Sequence, residues 1–254
     1  NLYVADQQNK SIRKIDPTSG VVTTFVPKSR GIAVPQGITT DGTNLYVLDI
    51  NIYDIIRKIN ISTGTMTTLA GGGTIGADGT GTDAGFNWLR DITTDGTNLY
   101  VTENTSHVIR KIVISTGVVT TFAGTRDISG STDAIGTSAS FNQPTGITTD
   151  GINVYVADQG NSKIRKIVIS TGEVTTLASS IDSGGITTDG TYVYATSGYQ
   201  VYKIEISNGN KTLVAGSGSS GSNDGTGTVA TFTNLIGIIF DGYNLYVVDS
   251  YGNH

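Results

Sequence analysis

The sequence predicts an all-β fold, a six-bladed β-propeller of four-stranded antiparallel blades. A segment of the type Asn-Leu-Tyr-Val returns at intervals of roughly 40 to 55 residues, beginning at positions 1, 44, 98, 153, 192 and 244. Each interval holds short runs rich in Val, Ile, Thr and Tyr, which favour β-strands, and no segment shows the 3.6-residue apolar period of a helix. A period of this length with four strands per unit is typical of propellers.

The unit that begins at Gly146 shows the four strands of one blade. Residues 146–150 form the predicted inner strand, which closes in an Asp-Gly turn. Residues 153–158 and 163–169 form the second and third strands, and residues 174–178 form the fourth strand after a Ser-Thr-Gly turn. Four inner strands begin with glycine, where we expect neighbouring blades to approach most closely: Gly37, Gly146, Gly185 and Gly237.

The number of strand segments sets the predicted number of blades. The opening unit supplies a second, third and fourth strand, four full sets follow, and the chain closes with an inner and a second strand. A closed ring of five blades would leave residues 244–249 without a place, so we predict six blades, the first and last incomplete. We expect one propeller domain over residues 1–254, as an excerpt of a longer polypeptide, because the chain opens and closes inside a repeat.

An acid and an arginine recur together in four units. The acid ends the second strand, and the arginine follows seven or eight residues later in the third: Asp6 with Arg13, Asp49 with Arg57, Glu103 with Arg110, and Asp158 with Arg165. In the fifth unit both are replaced, by Thr196 and Tyr202. Two residues that are lost together are expected to touch across adjacent strands. We interpret them as structural ion pairs; a catalytic carboxylate is the alternative.

Composition excludes several classes of function. Only 15% of the residues are charged, and 16 Lys and Arg against 21 Asp and Glu give a net charge of −5. A nucleic-acid partner is therefore not expected, because phosphate binding needs clustered basic residues. The chain has no cysteine, which removes disulfide and thiolate chemistry. No apolar run approaches the ~20 residues of a membrane span.

Several motifs in order resemble the NHL-repeat β-propellers over nearly the whole chain. They are Tyr-Val-Ala-Asp at 155–158, Ile-Arg-Lys-Ile at 164–167, Asp-Gly-Thr-Gly-Thr-Asp-Ala-Gly-Phe at 78–86 and Gly-Ile-Thr-Thr-Asp-Gly at 146–151. The resemblance implies a ligand-binding, sensor, scaffold, RNA-binding or lyase domain. The RNA-binding branch depends on a basic face. The amidating-lyase branch implies a His-rich metal site, and His107 and His254 are the two histidines here. The lactonase-like branch implies a divalent cation held by carboxylates, with Asp91 as the acid available.

Loop lengths predict where function lies. Inner-to-second and third-to-fourth turns are short and uniform, whereas blade-to-blade loops vary: residues 70–90, 123–146 and 215–237 are long, and residues 26–37 and 178–185 are short. Because strands alternate in direction, we expect all variable loops on one face, with the binding surface there. The long loops share an Asp-x-x-Gly-Thr-x-Ala-x-Phe pattern, which we interpret as structural; a cation site such as a calcium loop is the alternative, although the calcium ligand ladder is missing.

Residues that break the repeat are the candidates for binding. Trp88, Arg90 and Asp91 stand where another unit has Gln143, Thr145 and Gly146. A tryptophan beside an arginine is typical of an interface hot spot or a sugar platform; the alternative is a space-filling role near the propeller axis. We expect further binding residues in the neighbouring loops: Lys28, Arg30, Tyr53, His107 and Arg126. For His107 a solvated loop position is the alternative.

Three functions remain open at this point. The first is a non-catalytic, secreted or cell-surface module that binds a protein or a glycan through its loop-rich face and needs no cofactor. The second is a lyase or lactonase with a divalent cation, such as calcium, at the axial mouth. The third is a structural subunit that self-assembles through the exposed strand edges of its incomplete blades.

Overall fold

The computed structural model describes residues 1–50 and 53–250, which form antiparallel β-sheets joined by turns and loops. The strands are β1 Leu2–Asp6, β2 Ser11–Ile15, β3 Val22–Val26, β4 Pro35–Thr40, β5 Asn44–Asp49, β6 Ile55–Asn60, β7 Met66–Gly71, β8 Gly79–Thr80, β9 Leu89–Thr94, β10 Asn98–Glu103, β11 Val108–Val113, β12 Val118–Ala123, β13 Pro144–Thr149, β14 Asn153–Asp158, β15 Lys163–Val168, β16 Val174–Ser179, β17 Ser183–Thr188, β18 Tyr192–Ser197, β19 Gln200–Glu205, β20 Lys211–Ala215, β21 Leu235–Phe240 and β22 Leu245–Asp249. The prediction of an all-β propeller with antiparallel sheets is confirmed.

The blades follow the chain in order. Blade 1 is the three-stranded sheet β1–β3, blade 2 is β4–β7, blade 3 is β9–β12 with β8 added at its outer edge, blade 4 is β13–β16 and blade 5 is β17–β20. The structure therefore has five blades, and the prediction of six is wrong. The count failed because β22, which carries the last Asn-Leu-Tyr-Val segment, pairs only with β21 among the described residues and forms a terminal hairpin.

The strands divide into two compact units, residues 1–122 and the part of the chain that begins at Ala123. Within each unit, neighbouring blades bury apolar side chains between their faces. Leu48 of blade 2 and Leu89 of blade 3 belong to one such core in the first unit. Ala157 of blade 4 and Ile186 of blade 5 belong to another in the second. Strands covered on both faces explain why the sequence lacks a strict apolar-polar alternation.

The inner-to-second turns explain the repeated Asn-x-Tyr signature. In blade 4, Asp150 Oδ1 accepts the backbone N–H groups of Ile152 at 2.8 Å and Asn153 at 2.6 Å. Its Oδ2 accepts the Asn153 side-chain amide at 3.1 Å and the Tyr155 hydroxyl at 2.8 Å. One carboxylate thus closes the turn and anchors the buried tyrosine of the next strand. The same arrangement is built around Asp41 and Asp95.

Close approach at the inner-strand glycines is confirmed. A Cβ atom on Gly146 would lie 2.9 Å from the Gly184 carbonyl oxygen and 3.0 Å from the Ile186 nitrogen of blade 5. A Cβ atom on Gly185 would lie 3.1 Å from the Gly237 Cα of the terminal hairpin. Only a residue without a side chain lets the inner strands approach at this distance.

The long loops of residues 70–90 and 123–146 do not stay on one face, so the prediction that all variable loops share a face is wrong. Residues 79–80 pair with Val118 and Val119 as β8, and the Gly81 N–H donates to the Gly117 carbonyl at 2.9 Å. In the second unit the Gly136 N–H donates in the same way to Gly172 at 2.8 Å. Each loop therefore runs along the outer strand of the following blade and reaches its third-to-fourth turn. The outer strand would otherwise present unpaired backbone groups, which the loop satisfies.

The remaining elements in residues 1–50 and 53–250 are five 3₁₀ turns of three residues each. They agree with the prediction of essentially no helix, since an isolated 3₁₀ turn is a connector rather than a packed helix. Over the described part of the chain, no helix has the length and apolar character that a membrane crossing requires.

Candidate ligand-binding site

Trp88 lies at the end of the long loop that leads into β9. Its backbone has a φ of +60°, which is uncommon for a residue other than glycine. The Trp88 carbonyl accepts the Asn104 N–H at 3.1 Å. Beside it, the Asn87 side-chain amide donates to Ser106 Oγ at 3.0 Å. The backbone is thus fixed by the second-to-third loop of blade 3, while the indole is 56% exposed.

Three exposed apolar side chains surround a small cleft in the first unit. Tyr53 is 59% exposed and Ile75 is 66% exposed, and both line the same cavity of about 200 Å³ as Trp88. The cavity is completed by Asp54, Gly72, Gly73, Phe86 and Asn87. Single exposed apolar residues are ordinary on protein surfaces, but a cluster around a concave site marks an interaction surface.

A buried carboxylate forms the base of this cleft. Asp54 is 9% exposed, and its Oδ2 accepts the Leu89 N–H at 2.9 Å. Burial raises the pKa of Asp54 above its usual value, while hydrogen bonds from the Leu89 and Trp88 backbone oppose that rise. The cleft therefore combines an aromatic rim with a polar floor whose charge depends on pH.

A second cavity of about 360 Å³ adjoins the first and shares Tyr53 and Gly72 with it. Arg57 of β6 lies in its wall. The guanidinium donates through Nε to Asp49 Oδ2 at 3.2 Å and through Nη1 to Thr68 Oγ1 at 2.7 Å. Its side chain retains 21% exposure. The two cavities together place an accessible cation next to the aromatic rim.

The corresponding arginine of blade 4 is fully buried. Arg165 has no exposed side-chain surface and binds Asp158 at 2.8 Å and Asp133 at 2.7 Å. It also donates to the carbonyls of Thr132 and Ser140, both at 3.0 Å. Arg110 of blade 3 is enclosed in the same way by Glu103 and Asp78. Asp133 and Asp78 come from long loops.

The loop before blade 2 explains why Arg57 stays accessible. Residues 27–34 are short and contain no acid, so this loop places no second carboxylate on Arg57. Arg57 instead binds the single carboxylate of Asp49, through Oδ2. The other oxygen, Asp49 Oδ1, accepts the N–H groups of Ala33 and Val34 at 2.8 and 2.9 Å. An accessible arginine beside a cleft is suited to a carboxylate or another anionic group of a ligand.

The acid–arginine pairs of the repeat are all in contact. Arg13 lies 3.5 Å from Asp6 at the surface of blade 1, whereas the pairs of blades 3 and 4 are fully buried. The Asp-containing loops add a second carboxylate to each buried arginine, through Asp78 and Asp133. These loop aspartates therefore have a structural function in the described protein. No group of three or more potential metal ligands is present among residues 1–50 and 53–250.

The other candidate residues do not line these two cavities. Lys28 and Arg30 lie in the exposed 3₁₀ turn Lys28–Arg30, and Arg30 Nη1 donates to the Gly64 carbonyl at 3.4 Å. Arg90 and Asp91 belong to β9, where Asp91 lies against Gly37 of blade 2. His107 has a φ of +58° just before β11, and Arg126 follows β12. His254 lies outside the described residues.

The sequence did not identify Asp54, Ile75 or Asn87 as residues of the cleft. It also did not predict that the Arg57 side chain stays partly exposed. One feature of the sequence did indicate a difference in blade 2. Asp49 and Arg57 are eight residues apart, whereas Glu103 and Arg110 are seven apart, so the loop between the second and third strands is one residue longer. The longer second-to-third connection contains Tyr53 and Asp54. Nothing in the local pattern indicates that residue 75 or residue 87 reaches the same cleft.

Solved structures share this fold. A structural genomics protein of unknown function from Bacteroides thetaiotaomicron matches 98% of this chain and 64% of its own, with a TM-score of 0.72 and 20% identity. A chain in a nidogen/laminin complex matches 96% of this chain and 83% of its own, with a TM-score of 0.69 and 17% identity. Virginiamycin B lyase from Staphylococcus aureus matches 97% of this chain and 73% of its own, with a TM-score of 0.58 and 17% identity. At these identities the likeness concerns the fold alone.

One of two sequence relatives carries a repeat type in its name. NHL repeat-containing protein 2 from Homo sapiens is 29% identical over 163 residues, which cover 57% of this chain and 22% of the relative. The chain has an NHL-type β-propeller fold. Protein SUPPRESSOR OF QUENCHING 1, chloroplastic, from Arabidopsis thaliana is 31% identical over 151 residues, which cover 54% of this chain and 14% of the relative. No protein-family model matches the chain. The match thus spans less than a quarter of either relative.

Proposed function

We propose that this NHL-repeat propeller is a non-catalytic binding module of a longer secreted or cell-surface protein, and that it binds a protein or a glycan through the cleft beside Trp88. The observation that supports this most directly is the convergence of three exposed apolar side chains on one concave site. Tyr53, Ile75 and Trp88 come from two different loops, and they meet around the same cavity. The proposal requires no cofactor.

The chemistry of the cleft suggests two features of the ligand. The indole and phenol rings offer broad apolar surfaces with little conformational entropy to lose, and tryptophan and tyrosine are enriched at binding hot spots. Arg57 in the adjoining cavity offers N–H donors to an anionic group. We therefore propose a ligand with an apolar face, such as a sugar ring or an aromatic side chain, next to a carboxylate.

Trp88 is the one tryptophan of the chain, so its fluorescence reports directly on the cleft. The experiment is a titration with uronic-acid oligosaccharides and acidic peptides, each compared with its neutral counterpart. We expect the acidic ligands to change Trp88 emission in a saturable way. Tyr53→Ala should weaken that binding about tenfold, as for a hot-spot residue.

Tyr243→Ala is the matched control, because Tyr243 is also an exposed tyrosine but lines neither cavity. It should bind as the wild type does. Unchanged affinity in Tyr53→Ala, or ligand binding without any change in Trp88 emission, would exclude the cleft as the binding site.

A second candidate function is a divalent-cation-dependent lyase or lactonase. It is favoured by the lyases among the proteins of similar fold and by Asp91, an acid on an inner strand beside Gly37. Metal analysis of the purified protein, with and without chelator, tests it. Stoichiometric metal that is lost in Asp91→Asn would support the enzyme over the binding module.

A further inference from the structure

Blades 3 and 4 share an arrangement that binds a carboxylate, which we call the arginine–threonine site. In blade 4, Asp133 Oδ1 accepts hydrogen bonds from Arg165 Nη2 at 2.7 Å and from the Thr176 hydroxyl at 3.1 Å. Its other oxygen, Oδ2, accepts the Thr176 N–H at 3.0 Å. Arg165 of β15 and Thr176 of β16 lie directly opposite each other in the sheet. Two neighbouring strands thus offer a guanidinium, a hydroxyl and a backbone N–H to one carboxylate.

The carboxylate of blade 3 is bound in the same way. Asp78 Oδ1 accepts hydrogen bonds from Arg110 Nη2 at 2.7 Å and from the Thr121 hydroxyl at 3.4 Å. In both blades, the same Nη2 also donates to the carbonyl of the residue before the aspartate. That carbonyl belongs to Ala77 at 3.1 Å in blade 3 and to Thr132 at 3.0 Å in blade 4. The group recognised in each case is therefore a peptide carbonyl followed by an aspartate carboxylate.

Blade 2 has the arginine and the threonine of this site, but its preceding loop supplies no aspartate. Arg57 of β6 and Thr68 of β7 lie opposite each other, as Arg165 and Thr176 do. Arg57 Nη1 donates directly to Thr68 Oγ1 at 2.7 Å. In blade 4 the aspartate oxygen lies between the corresponding two side chains. The loop of residues 27–34 contains no acid that could take this position.

The arginine–threonine site of blade 2 is open to a ligand. Arg57 and Thr68 both line the cavity of about 360 Å³, and the Arg57 side chain retains 21% exposure. The preceding loop carries Lys28 and Arg30, where the loops of the other two blades carry an aspartate. A carboxylate that enters the cavity therefore meets donors within a cationic surface.

We propose that the arginine–threonine site of blade 2 binds an aspartate of a partner polypeptide, together with the carbonyl of the residue before it. The carboxylate lies between Arg57 and Thr68. The partner then extends past Tyr53, which lines both this cavity and the cleft beside Trp88. This inference rests on the proposed binding function, and it narrows the partner from a protein or a glycan to an aspartate-bearing peptide.

The two internal examples explain why an aspartate is preferred to other anionic groups. An Nη2 atom carries two hydrogens, and in blades 3 and 4 it shares them between a carbonyl and a carboxylate of adjacent residues. A glutamate would place its carboxylate one methylene further from that carbonyl. A sugar carboxylate lacks the preceding peptide carbonyl, and an asparagine lacks the charge that strengthens these hydrogen bonds.

The first test uses a labelled peptide of residues 77–82, Ala-Asp-Gly-Thr-Gly-Thr, with the intact chain as receptor. Fluorescence anisotropy should show saturable binding. Asp78→Asn in the peptide should weaken binding about tenfold, because hydrogen bonds to a charged group are lost. Asp78→Glu should also weaken it, because the carbonyl and the carboxylate no longer match the spacing of the site.

The second test changes the protein. Arg57→Gln should weaken peptide binding about tenfold. Thr68→Val keeps the Asp49–Arg57 ion pair and removes only the hydroxyl, so it should weaken binding about fivefold. Lys58→Gln is the matched control, because it removes a positive charge from the same strand. Its side chain lies on the opposite face of the sheet and lines neither cavity, so it should bind like the wild type.

The outcomes separate this inference from the proposed function. If Tyr53→Ala weakens peptide binding but Arg57→Gln and Thr68→Val do not, the aspartate site is overturned and the cleft remains the binding site. If uronic-acid oligosaccharides bind and the peptide does not, the partner is a glycan and the inference is overturned. Equal affinity of the Asp78→Asn peptide, or equal effects of Lys58→Gln and Arg57→Gln, would also overturn it. Binding of no acidic ligand at all would contradict both proposals.

Discussion

At the scale of single residues, the inner-to-second turn shows how one carboxylate can determine a recurring sequence signature. Asp150 accepts two backbone N–H groups, one amide and one phenol hydroxyl. Although its partial burial raises the carboxyl pKa, hydrogen bonds from Asn153, Tyr155 and Ile152 hold the pKa of Asp150 below its usual value. The aspartate, the asparagine and the tyrosine are therefore selected together at a fixed spacing.

Replacing Tyr155 with phenylalanine should cost about 2 kcal/mol of unfolding free energy at neutral pH, since a buried hydrogen bond to a charged group is lost. The cost should shrink as the pH falls towards 2. A lowered folded-state pKa adds stability above the unfolded pKa and loses it as Asp150 is protonated. Urea unfolding at several pH values measures both effects. Tyr243→Phe, at an exposed position, should change stability by less than about 0.5 kcal/mol.

Asp54 should show the opposite dependence on pH. Burial raises the pKa of Asp54 in the folded protein, so the folded state holds the proton more tightly than the unfolded state. The contribution to stability is then full below the unfolded pKa and is lost as the pH rises through the folded pKa. Asp54→Asn keeps an oxygen that can accept the Leu89 N–H, so its stability relative to wild type should increase from pH 4 to neutral pH. A difference that is independent of pH in urea unfolding would contradict the assignment.

At the scale of elements, the hydrogen-bond network around Arg165 connects three pieces of chain that are distant in sequence. In blade 4 it joins the end of β14, the middle of β15 and a loop residue 32 positions before Arg165. In blade 1 the corresponding pair is a single contact of 3.5 Å between partly exposed side chains. The same residue pair is therefore expected to contribute very different free energies of unfolding in different blades, because burial and the number of partners differ.

Arg165→Met should destabilise the protein by about 3–5 kcal/mol, because it leaves the buried carboxylate of Asp158 without its cation. Arg13→Met should cost about 1 kcal/mol or less, as for an exposed ion pair. Chemical denaturation of the two variants gives both values in parallel. Similar losses for both variants would show that burial does not separate the two pairs.

At the scale of the whole molecule, the structure is assembled from units of packed blades. In the second unit, Gly146, Gly185 and Gly237 bring successive inner strands to within backbone contact distance. Apolar clusters then fill the space between the blade faces. Stability therefore depends on how closely neighbouring sheets approach, in addition to the pairing within each sheet.

Gly146→Ala should destabilise the protein by about 1–3 kcal/mol, the usual cost of overpacking. The new methyl group would lie 2.9 Å from the backbone oxygen of Gly184, which cannot move independently of its strand. Gly184→Ala is the matched control in the adjacent inner strand, because its Cβ would meet only the Leu235 oxygen, at 4.0 Å. Thermal unfolding should show a lower Tm for the first variant and little change for the second. Equal effects would indicate that glycine flexibility, rather than close approach, matters at Gly146.

The repeat, its strands and its acid–arginine pairs could be predicted because each depends on residues close in sequence. The strands of blade 4 begin and end within two residues of the predicted positions. The candidate site was only partly predictable. Trp88 and Tyr53 stood out because they break the repeat, but Asp54 and Ile75 reach the same cleft through the path of two loops, which the local pattern does not encode.

What the sequence by itself determined is the β-propeller repeat, with its Asp-Gly turns, its glycine-initiated inner strands and its alternation of short and long loops. Only the tertiary structure decided that there are five blades, that the long loops before blades 3 and 4 follow the outer edge of the next blade, and that Arg57 stays accessible while Arg165 is fully buried. The physical reason is the separation in sequence over which each kind of interaction acts. Turn and strand chemistry act over a few neighbouring residues, whereas a loop such as residues 124–141 finds its place through an arginine more than twenty residues further along the chain.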